Sequence, residues 1–313
     1  MKQENFETMN ERKFRILTID GGGIRGVFPA HILRCISERL KIDIKHYFDM
    51  ISGTSTGAII AAAVACNIGP ERIVSMYQNS SQKIFQKKKT FLPNLLSSVL
   101  QSRYRNEYLA NILKEVFGEL KLGDIETPLL LPATDIGHGG VHVFKSKYSP
   151  EFTRDGNVPV WEAVLASCSA PTYFDPKKVD QYLLCDGGLW ANNPSLAAVI
   201  DAMYRLNIKI ESIRILSLGT GTAKTSYGVD TNRKWGFLRG WRGAEFINFL
   251  MSLQGQSTQN YLQLLLSKEQ LLRLDFESDL PLPLDNVEEV DNLISRADRI
   301  FTHNSSTIKK FMN

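Results

Sequence analysis

Residues 58–66 are the feature that most constrains the fold, because all nine of them are apolar. A helix that is apolar on every side must be surrounded by other groups rather than by water. Nine residues are far short of the roughly 20 that cross a bilayer. The stretch is rich in alanine and follows a short β-rich run at 48–52. We therefore predict a helix over 55–66 that is buried on all sides in a globular fold.

The remaining chain alternates between short β-rich runs and stretches with helical spacing. Strands are predicted at 14–19, 48–52, 129–133, 141–144 and 213–218, and further helices at 28–40 and near 70–85, 105–117, 159–166 and 194–205. This alternation predicts an α/β fold with a mainly parallel sheet sandwiched by helices. Apolar stripes at 246–253 and 287–297, with no strand pattern beyond 226, predict a helical C-terminal third. We expect one domain, residues 1–313.

Composition excludes several classes of protein. The chain is 43% hydrophobic and 22% charged, as in ordinary globular proteins. Its net charge of +4 is too balanced for nucleic acid as the main partner, so neither DNA nor RNA is expected. The four cysteines lack Cys-x-x-Cys spacing, which argues against zinc or disulfides. The polar first residues predict no signal peptide and a cytoplasmic protein.

The first chemical motif is DGGGIRG, residues 20–26, between a predicted strand and a predicted helix. Gly21, Gly23 and Gly26 satisfy the G-x-G-x-x-G pattern of dinucleotide-binding folds, and Asp43 is roughly placed for the acidic residue that such folds use. A tight turn is the simpler alternative, although three consecutive glycines exceed what a turn requires. The residues supply backbone N–H groups at a helix N-terminus, and these can stabilise negative charge.

The second motif is GTSTG, residues 53–57, which matches G-x-S-x-G. It lies between the predicted strand 48–52 and the buried helix, the context of a nucleophilic serine on a sharp strand-to-helix turn. The helix N-terminus behind Ser55 favours the oxyanion that forms when the serine attacks. Together with the glycine-rich loop one βα unit upstream, this placement predicts that Ser55 is a nucleophile.

A serine nucleophile needs a base, and the sequence offers two. His303 is the only histidine late enough for the Ser–acid–His order of α/β-hydrolases, but it lies in a polar segment that favours a solvated surface residue. Asp186 begins DGG, residues 186–188, after a short apolar run. An Asx-type turn or helix cap would also explain this aspartate. Buried against a serine hydroxyl, a carboxylate can accept the proton.

In this order, the three motifs resemble those of the patatin-like phospholipases. The resemblance continues through SCSAPTYF (167–174), ANNP (191–194) and LSLGTG (216–221), and it spans residues 14–221. It implies a patatin-like α/β fold and a Ser55–Asp186 dyad that cleaves glycerophospholipid esters without a metal or cofactor. It also implies an oxyanion hole formed by the amides of Gly22 and Gly23, with Arg25 beside it.

The segment KWGFLRGW, residues 234–241, resembles a bacterial branch of this family, some members of which are activated by a cyclic dinucleotide in anti-phage defence. Arginines and indoles could clamp phosphates and stack on bases, and the residues are Arg233, Lys234, Trp235, Arg239, Trp241 and Arg242. The same composition suits a membrane-surface patch or a simple linker. The lysines at 87–89, near Phe85, Phe91 and Leu92, suit an anionic lipid surface or a solvated loop.

These observations favour a serine hydrolase of the phospholipase A type that is latent until a cyclic dinucleotide binds. We expect it in the cytoplasm, peripherally associated with the inner membrane face. A homo-oligomer would couple nucleotide binding to opening of the site. A constitutive Ser–His–acid esterase using His303 is the alternative enzyme. A dinucleotide-binding α/β module is the alternative binding protein, and it leaves GTSTG and DGG unexplained.

Overall fold

A mixed eight-stranded sheet lies at the centre of the molecule. The computed structural model describes residues 12–86, 88, 101–223, 227, 235–236, 240–241, 244–280 and 282–313. The strands are β1 (Phe14–Ile19), β2 (Met50–Gly53), β3 (Leu129–Asp135), β4 (Gly140–Lys145), β5 (Lys177–Val179), β6 (Tyr182–Asp186), β7 (Ile213–Leu218), β8 (Thr222–Ala223), β9 (Leu271–Leu274) and β10 (Glu277–Ser278). Strands β8 and β10 form a separate two-stranded sheet.

The main sheet has the order β5-β6-β3-β2-β1-β7-β9, with β4 also paired to β3. The pairs β3–β2, β2–β1, β1–β7 and β7–β9 are parallel, whereas β4 and β6 run antiparallel to β3, and β5 to β6. The predicted strands are therefore confirmed, and the sheet is mainly parallel.

Strand β3 determines where the functional motifs meet. Strand β4 pairs along 130–135 of β3, so β2 and β6 must share the opposite edge of that strand. On this edge β2 pairs up to Leu130, and β6 arrives from the other direction and ends at Ala133. The carboxyl ends of β2 and β6 thus approach each other end to end.

Helices cover the sheet. They are α1 (Val27–Leu40), α2 (Ile44–Tyr47), α3 (Thr56–Ala65), α4 (Pro70–Ile84), α5 (Asn106–Phe117), α6 (Val160–Ser167), α7 (Gly188–Ala191), α8 (Ser195–Arg205), α9 (Ala244–Leu265) and α10 (Val290–Met312). Every residue of α3 is buried, which confirms the predicted internal helix. No helix in the described ranges has a stretch apolar enough to cross a bilayer.

The C-terminal third contributes strands as well as helices. The prediction that strands stop at 226 is wrong, because β9 adds a parallel strand to β7 and β10 pairs with β8. Strand β9 has only four residues, and Arg273 interrupts its apolar pattern. Helix α10 packs against α1, where Asp298 accepts a hydrogen bond from Arg39 at 2.5 Å.

Candidate active site

Ser55 occupies a strained turn between β2 and α3. Its backbone has φ 56° and ψ −123°, a left-handed φ that L-residues rarely adopt without a functional reason. The Ser55 amide donates to the Ser167 hydroxyl at 3.0 Å, which anchors the turn to α6. The side chain is 7% exposed. The turn therefore presents Ser55 at the end of the sheet, as the G-x-S-x-G spacing predicts.

The glycines of this motif are required by close packing. A Cβ on Gly53 would overlap the carbonyl of Gly57, and a Cβ on Gly57 would overlap the carbonyl of Ile19. Both obstacles are backbone atoms, which cannot rotate away. The turn can therefore lie against the end of β1 only if neither residue has a side chain.

Asp186 is the last residue of β6 and lies beside Ala133. Its Oδ1 accepts from the Gly188 amide at 2.7 Å, and the buried Oδ2 has no hydrogen-bond partner among the described residues. Burial raises the pKa of Asp186 to about 6, against the lowering effects of the Ser55 hydroxyl and the Gly188 amide. Ser55 and Asp186 line the same pocket, so the structure brings these two predicted residues together.

The glycine-rich loop borders this pocket with two unused donors. The flanking amides are occupied, since Gly21 donates to Asn192 O at 3.0 Å and Ile24 to Leu284 O at 2.8 Å. Among the hydrogen bonds of the described residues, none uses the amides of Gly22 or Gly23. Both glycines line the pocket that contains Ser55. Free amides in such a place can stabilise an oxyanion.

Arg25 holds the loop. Its Nε donates to the Gly22 carbonyl at 3.0 Å and its Nη1 to the Gly221 carbonyl at 3.1 Å. The Gly22 carbonyl and the Gly23 amide belong to one planar peptide unit, so fixing the oxygen also fixes the N–H direction. Burial lowers the pKa of Arg25 to about 10. Arg25 therefore fixes the direction of the Gly23 N–H at the edge of the pocket.

An ion-pair network that the sequence analysis did not predict stabilises the glycine-rich loop. Arg273 binds Asp20 at 2.6 Å and Asp275 at 2.7 Å, and Asp275 accepts from the Gly221 amide at 2.8 Å. Burial opposes the charge of Arg273, but the two carboxylates raise its pKa above the ordinary value. An arginine inside the short apolar run LLRL was the available signal.

The pocket itself is mostly apolar. Its apolar lining comes from α3, the C-terminal end of α4, α5, α9 and the segments after α6 and before α10, and it includes Ile59, Ile84, Phe85, Leu109, Ala170, Tyr173, Phe174, Met251 and Leu284. A cavity of this kind suits a hydrocarbon chain and offers little to a polar ligand.

The alternative interpretations of the motifs find less support. No described residue that lines the pocket is a histidine, and His303 is exposed on α10. The dinucleotide alternative needs open space at the loop, but Leu284 packs against Gly23, and Asp43 instead binds His46 at 2.6 Å. The described structure therefore brings neither the residues of a Ser–His–acid triad nor those of a dinucleotide site together.

The segment at 234–241 is described only in part. Arg233, Lys234, Arg239 and Arg242 lie outside the described residues. Trp235 and Trp241 contact each other with ring centroids 5.1 Å apart, and Tyr227 lies 5.4 Å from Trp241. Trp241 also contacts Phe246 of α9. The two indoles thus belong to an aromatic cluster. Lys88 binds Asp175 at 3.0 Å, whereas Lys87, Lys89, Phe91 and Leu92 lie outside the described residues.

Comparison with known proteins agrees with the geometry. A cGAMP-activated phospholipase from Escherichia coli (strain TW11681) is 31% identical over 68% of this chain and 63% of its own length. One from Pseudomonas aeruginosa is 30% identical over 80% of this chain and 74% of its own. A cUMP-AMP-activated phospholipase from Escherichia coli is 33% identical over 68% and 66%. The chain thus spans less than two thirds of the length of the first of these relatives.

The family model described as patatin-like phospholipase matches residues 17–199. This range contains the glycine-rich loop, the strained serine turn and Asp186, the three elements that meet at the pocket. With more than half of the chain matched and the motifs assembled at one end of the sheet, the chain belongs to the patatin-like phospholipase family.

Proposed function

We propose that the protein is a serine acyl hydrolase of the phospholipase A type, with Ser55 as nucleophile and Asp186 as base. The observation that carries the proposal is the convergence, at one apolar pocket, of a strained serine, a buried carboxyl and two amides without an acceptor among the described residues. No metal or cofactor is needed for this chemistry. Arg273 and Leu284 support the loop from the C-terminal third, which favours one catalytic domain over the whole chain.

The residues divide the reaction into two steps. The Ser55 hydroxyl attacks the ester carbonyl carbon while its proton passes to Asp186, and the amides of Gly22 and Gly23 stabilise the oxyanion. The bond to the alcohol then breaks, and Asp186 returns the proton to the departing oxygen. In the second step water attacks the acyl-serine, Asp186 accepts its proton, and the fatty acid leaves as Ser55 recovers its hydrogen.

A glycerophospholipid is the substrate that fits the pocket and the names of the relatives. The apolar lining accepts the acyl chain, while the ester carbonyl lies at Ser55. Such a substrate lies in a membrane, so the enzyme must contact the bilayer surface. We propose a cytoplasmic enzyme that associates peripherally with the inner face of the membrane.

Activation by a cyclic dinucleotide is the second part of the proposal. Its support is the names of the relatives, which are cGAMP- or cUMP-AMP-activated phospholipases. Latency would protect the host membrane until anti-phage signalling begins. A switch from about 1:99 to about 99:1 active requires the nucleotide to bind the active state about 5.5 kcal/mol more tightly. A homo-oligomer would be a natural means of coupling.

The deciding experiment measures fatty acid released from phospholipid vesicles, with and without cyclic GMP–AMP or cyclic UMP–AMP. We expect release that depends on one nucleotide and is lost by about 10³-fold or more in Ser55→Ala and Asp186→Asn, with little further loss in the double variant. His303→Ala is the matched control and should stay near the original rate. Strong loss in His303→Ala with an active Asp186→Asn would establish the triad instead. Full release without any nucleotide would leave a constitutive lipase.

A further inference from the structure

Helix α9 is unusual for a surface helix because it carries almost no charge. Glu245 is the only Asp, Glu, Lys or Arg in the sequence of this 22-residue helix. Exposed leucines and a tyrosine nevertheless follow its length, and these are Leu250, Leu253, Tyr261, Leu264 and Leu265. Leu264 is 86% exposed and Tyr261 is 57% exposed. Exposed apolar residues are ordinary one by one, but five on one helix require an explanation.

The spacing of these residues places them on one face. At 100° per residue, Leu250, Leu253, Tyr261 and Leu264 fall within an arc of about 80°. The buried residues Met251, Thr258 and Leu262 occupy a second face, directed into the protein. Polar residues on a third face line a large cavity, and they are Ser252, Gln256, Gln259 and Asn260. Leu250, Leu253, Tyr261 and Leu264 therefore form a separate stripe, which we call the outer face of α9.

Aromatic side chains extend this stripe at the N-terminal end of the helix. Phe246 contacts Trp241 at 5.0 Å, and Phe249 contacts Tyr227 at 5.5 Å between ring centroids. Trp235, which contacts Tyr227, is 40% exposed. Tryptophan and tyrosine favour the boundary between water and hydrocarbon, because each joins an apolar ring to a polar group.

The same helix also reaches the candidate active site. Met251, between Leu250 and Leu253 in sequence, lines the pocket that contains Ser55. One turn of α9 therefore touches both the pocket and the exposed stripe. A membrane against this turn would therefore lie within about one helix width, ~10 Å, of the pocket.

We propose that the outer face of α9 is the surface on which the protein lies against a phospholipid bilayer, an inference that rests on the proposed phospholipase activity. A face without charges loses little hydration when it enters the headgroup boundary, and its leucines gain by leaving water. Closeness to the pocket favours the bilayer over a second copy of the chain, because a phospholipid must reach Ser55 from a membrane, whereas self-association gives no reason for the face to lie on the helix that lines the pocket.

The test uses the Ser55→Ala protein, so that binding is measured without hydrolysis. Sedimentation with phosphatidylethanolamine–phosphatidylglycerol vesicles, with and without cyclic GMP–AMP, gives the partition coefficient. Leu250→Gln with Leu253→Gln should lower it at least about tenfold. Ile136→Gln with Val141→Gln is the matched control, because both residues are exposed and apolar but belong to the β3–β4 hairpin. Circular dichroism checks that each pair of substitutions leaves the fold intact.

The hydrolysis assays separate this proposal from the proposed function. In the Ser55-containing enzyme, the α9 pair should slow release from vesicles while a soluble short-chain ester is cleaved at the original rate. Vesicle binding that is equal in the α9 pair and the control overturns the surface, whatever the activity. A dimer that the α9 pair dissociates, with vesicle binding unchanged, overturns it in favour of self-association. If neither the vesicle phospholipid nor the soluble ester is cleaved, the proposed function is contradicted. The sedimentation of the Ser55→Ala protein still decides whether the outer face of α9 binds the bilayer.

Discussion

The environment of Asp186 bears on whether this carboxyl can act as the base that we propose for Ser55. An ordinary aspartate binds a proton too weakly to take one from a hydroxyl efficiently. Burial raises the pKa of Asp186 to about 6, so the group is a stronger base and is still ionised at neutral pH. The Gly188 amide holds one oxygen, and the other has no hydrogen-bond partner among the described residues and is left to accept a proton.

The pH dependence of activity should follow this group. With a soluble short-chain ester, we expect kcat/KM to rise with pH and to level off above about 6, because the free enzyme must carry Asp186 ionised. Initial rates between pH 4.5 and 8, corrected for unfolding, measure the profile. A midpoint near 4 would show that burial does not tune this base.

The raised pKa of Asp186 also predicts that the folded protein is less stable at neutral pH than at acidic pH. The folded-state pKa of about 6 lies above the ordinary value of 3.8, so the native protein binds more protons between these pH values, and stability falls as the pH rises through them. Asp186→Asn removes this loss and should raise the free energy of unfolding at pH 7 by up to about 3 kcal/mol. At pH 4 the gain should shrink to about 0.6 kcal/mol. Denaturant titrations at both pH values test this, and an equal gain at both would contradict it.

Arg25 should affect turnover more than binding. In Arg25→Lys one ammonium replaces a fork that holds two carbonyls, so the Gly22–Gly23 peptide loses its fixed direction. Because the oxyanion exists only in the transition state, we expect kcat to fall about tenfold to hundredfold with KM nearly unchanged. Steady-state kinetics on the soluble ester separate the two constants. A rise in KM alone would place Arg25 on the substrate instead.

At the scale of elements, the turn between β2 and α3 depends on contacts with backbone. Gly57→Ala places a methyl group against the Ile19 carbonyl, and we expect the free energy of unfolding to fall by about 3 kcal/mol or more. Gly140→Ala is the matched control, since a Cβ there meets nothing within 4 Å and the change should cost much less. Equal destabilisation in denaturant titrations would contradict this account of the turn.

Local motifs could be predicted from the residues themselves, whereas their assembly could be predicted only through the family resemblance. The spacing of GTSTG and DGGGIRG identified Ser55 and the loop because each function lies within a few neighbouring residues. The meeting of Ser55 with Asp186 depends on two strands sharing one edge of β3, which no local pattern encodes. Arg273 escaped prediction for a related reason: an arginine is buried in a strand only when distant carboxylates pair with it.

At the scale of the whole molecule, the candidate site contains no cluster of metal ligands within the described residues. Among the described residues, one group of side chains could hold a metal ion, and it consists of His31, Cys35 and Asp298 between α1 and α10. None of these residues lines the Ser55 pocket. We therefore expect hydrolysis of the soluble ester to survive EDTA unchanged. A complete loss of rate that calcium restores would contradict the metal-free mechanism.

The contact between Leu284 and the glycine-rich loop has a consequence for how such an enzyme can be controlled. The Ile24 amide of the glycine-rich loop donates to the Leu284 carbonyl, and Leu284 lies well beyond residue 199, where the family match ends. A signal that displaces the Leu284 carbonyl would misalign the amides of Gly22 and Gly23 while Ser55, Asp186 and the other residues of the pocket lining stay as they are. In that state the protein would still bind lipid and would simply fail to turn it over. Control of this kind acts on the maximal velocity and leaves the apparent affinity for substrate unchanged.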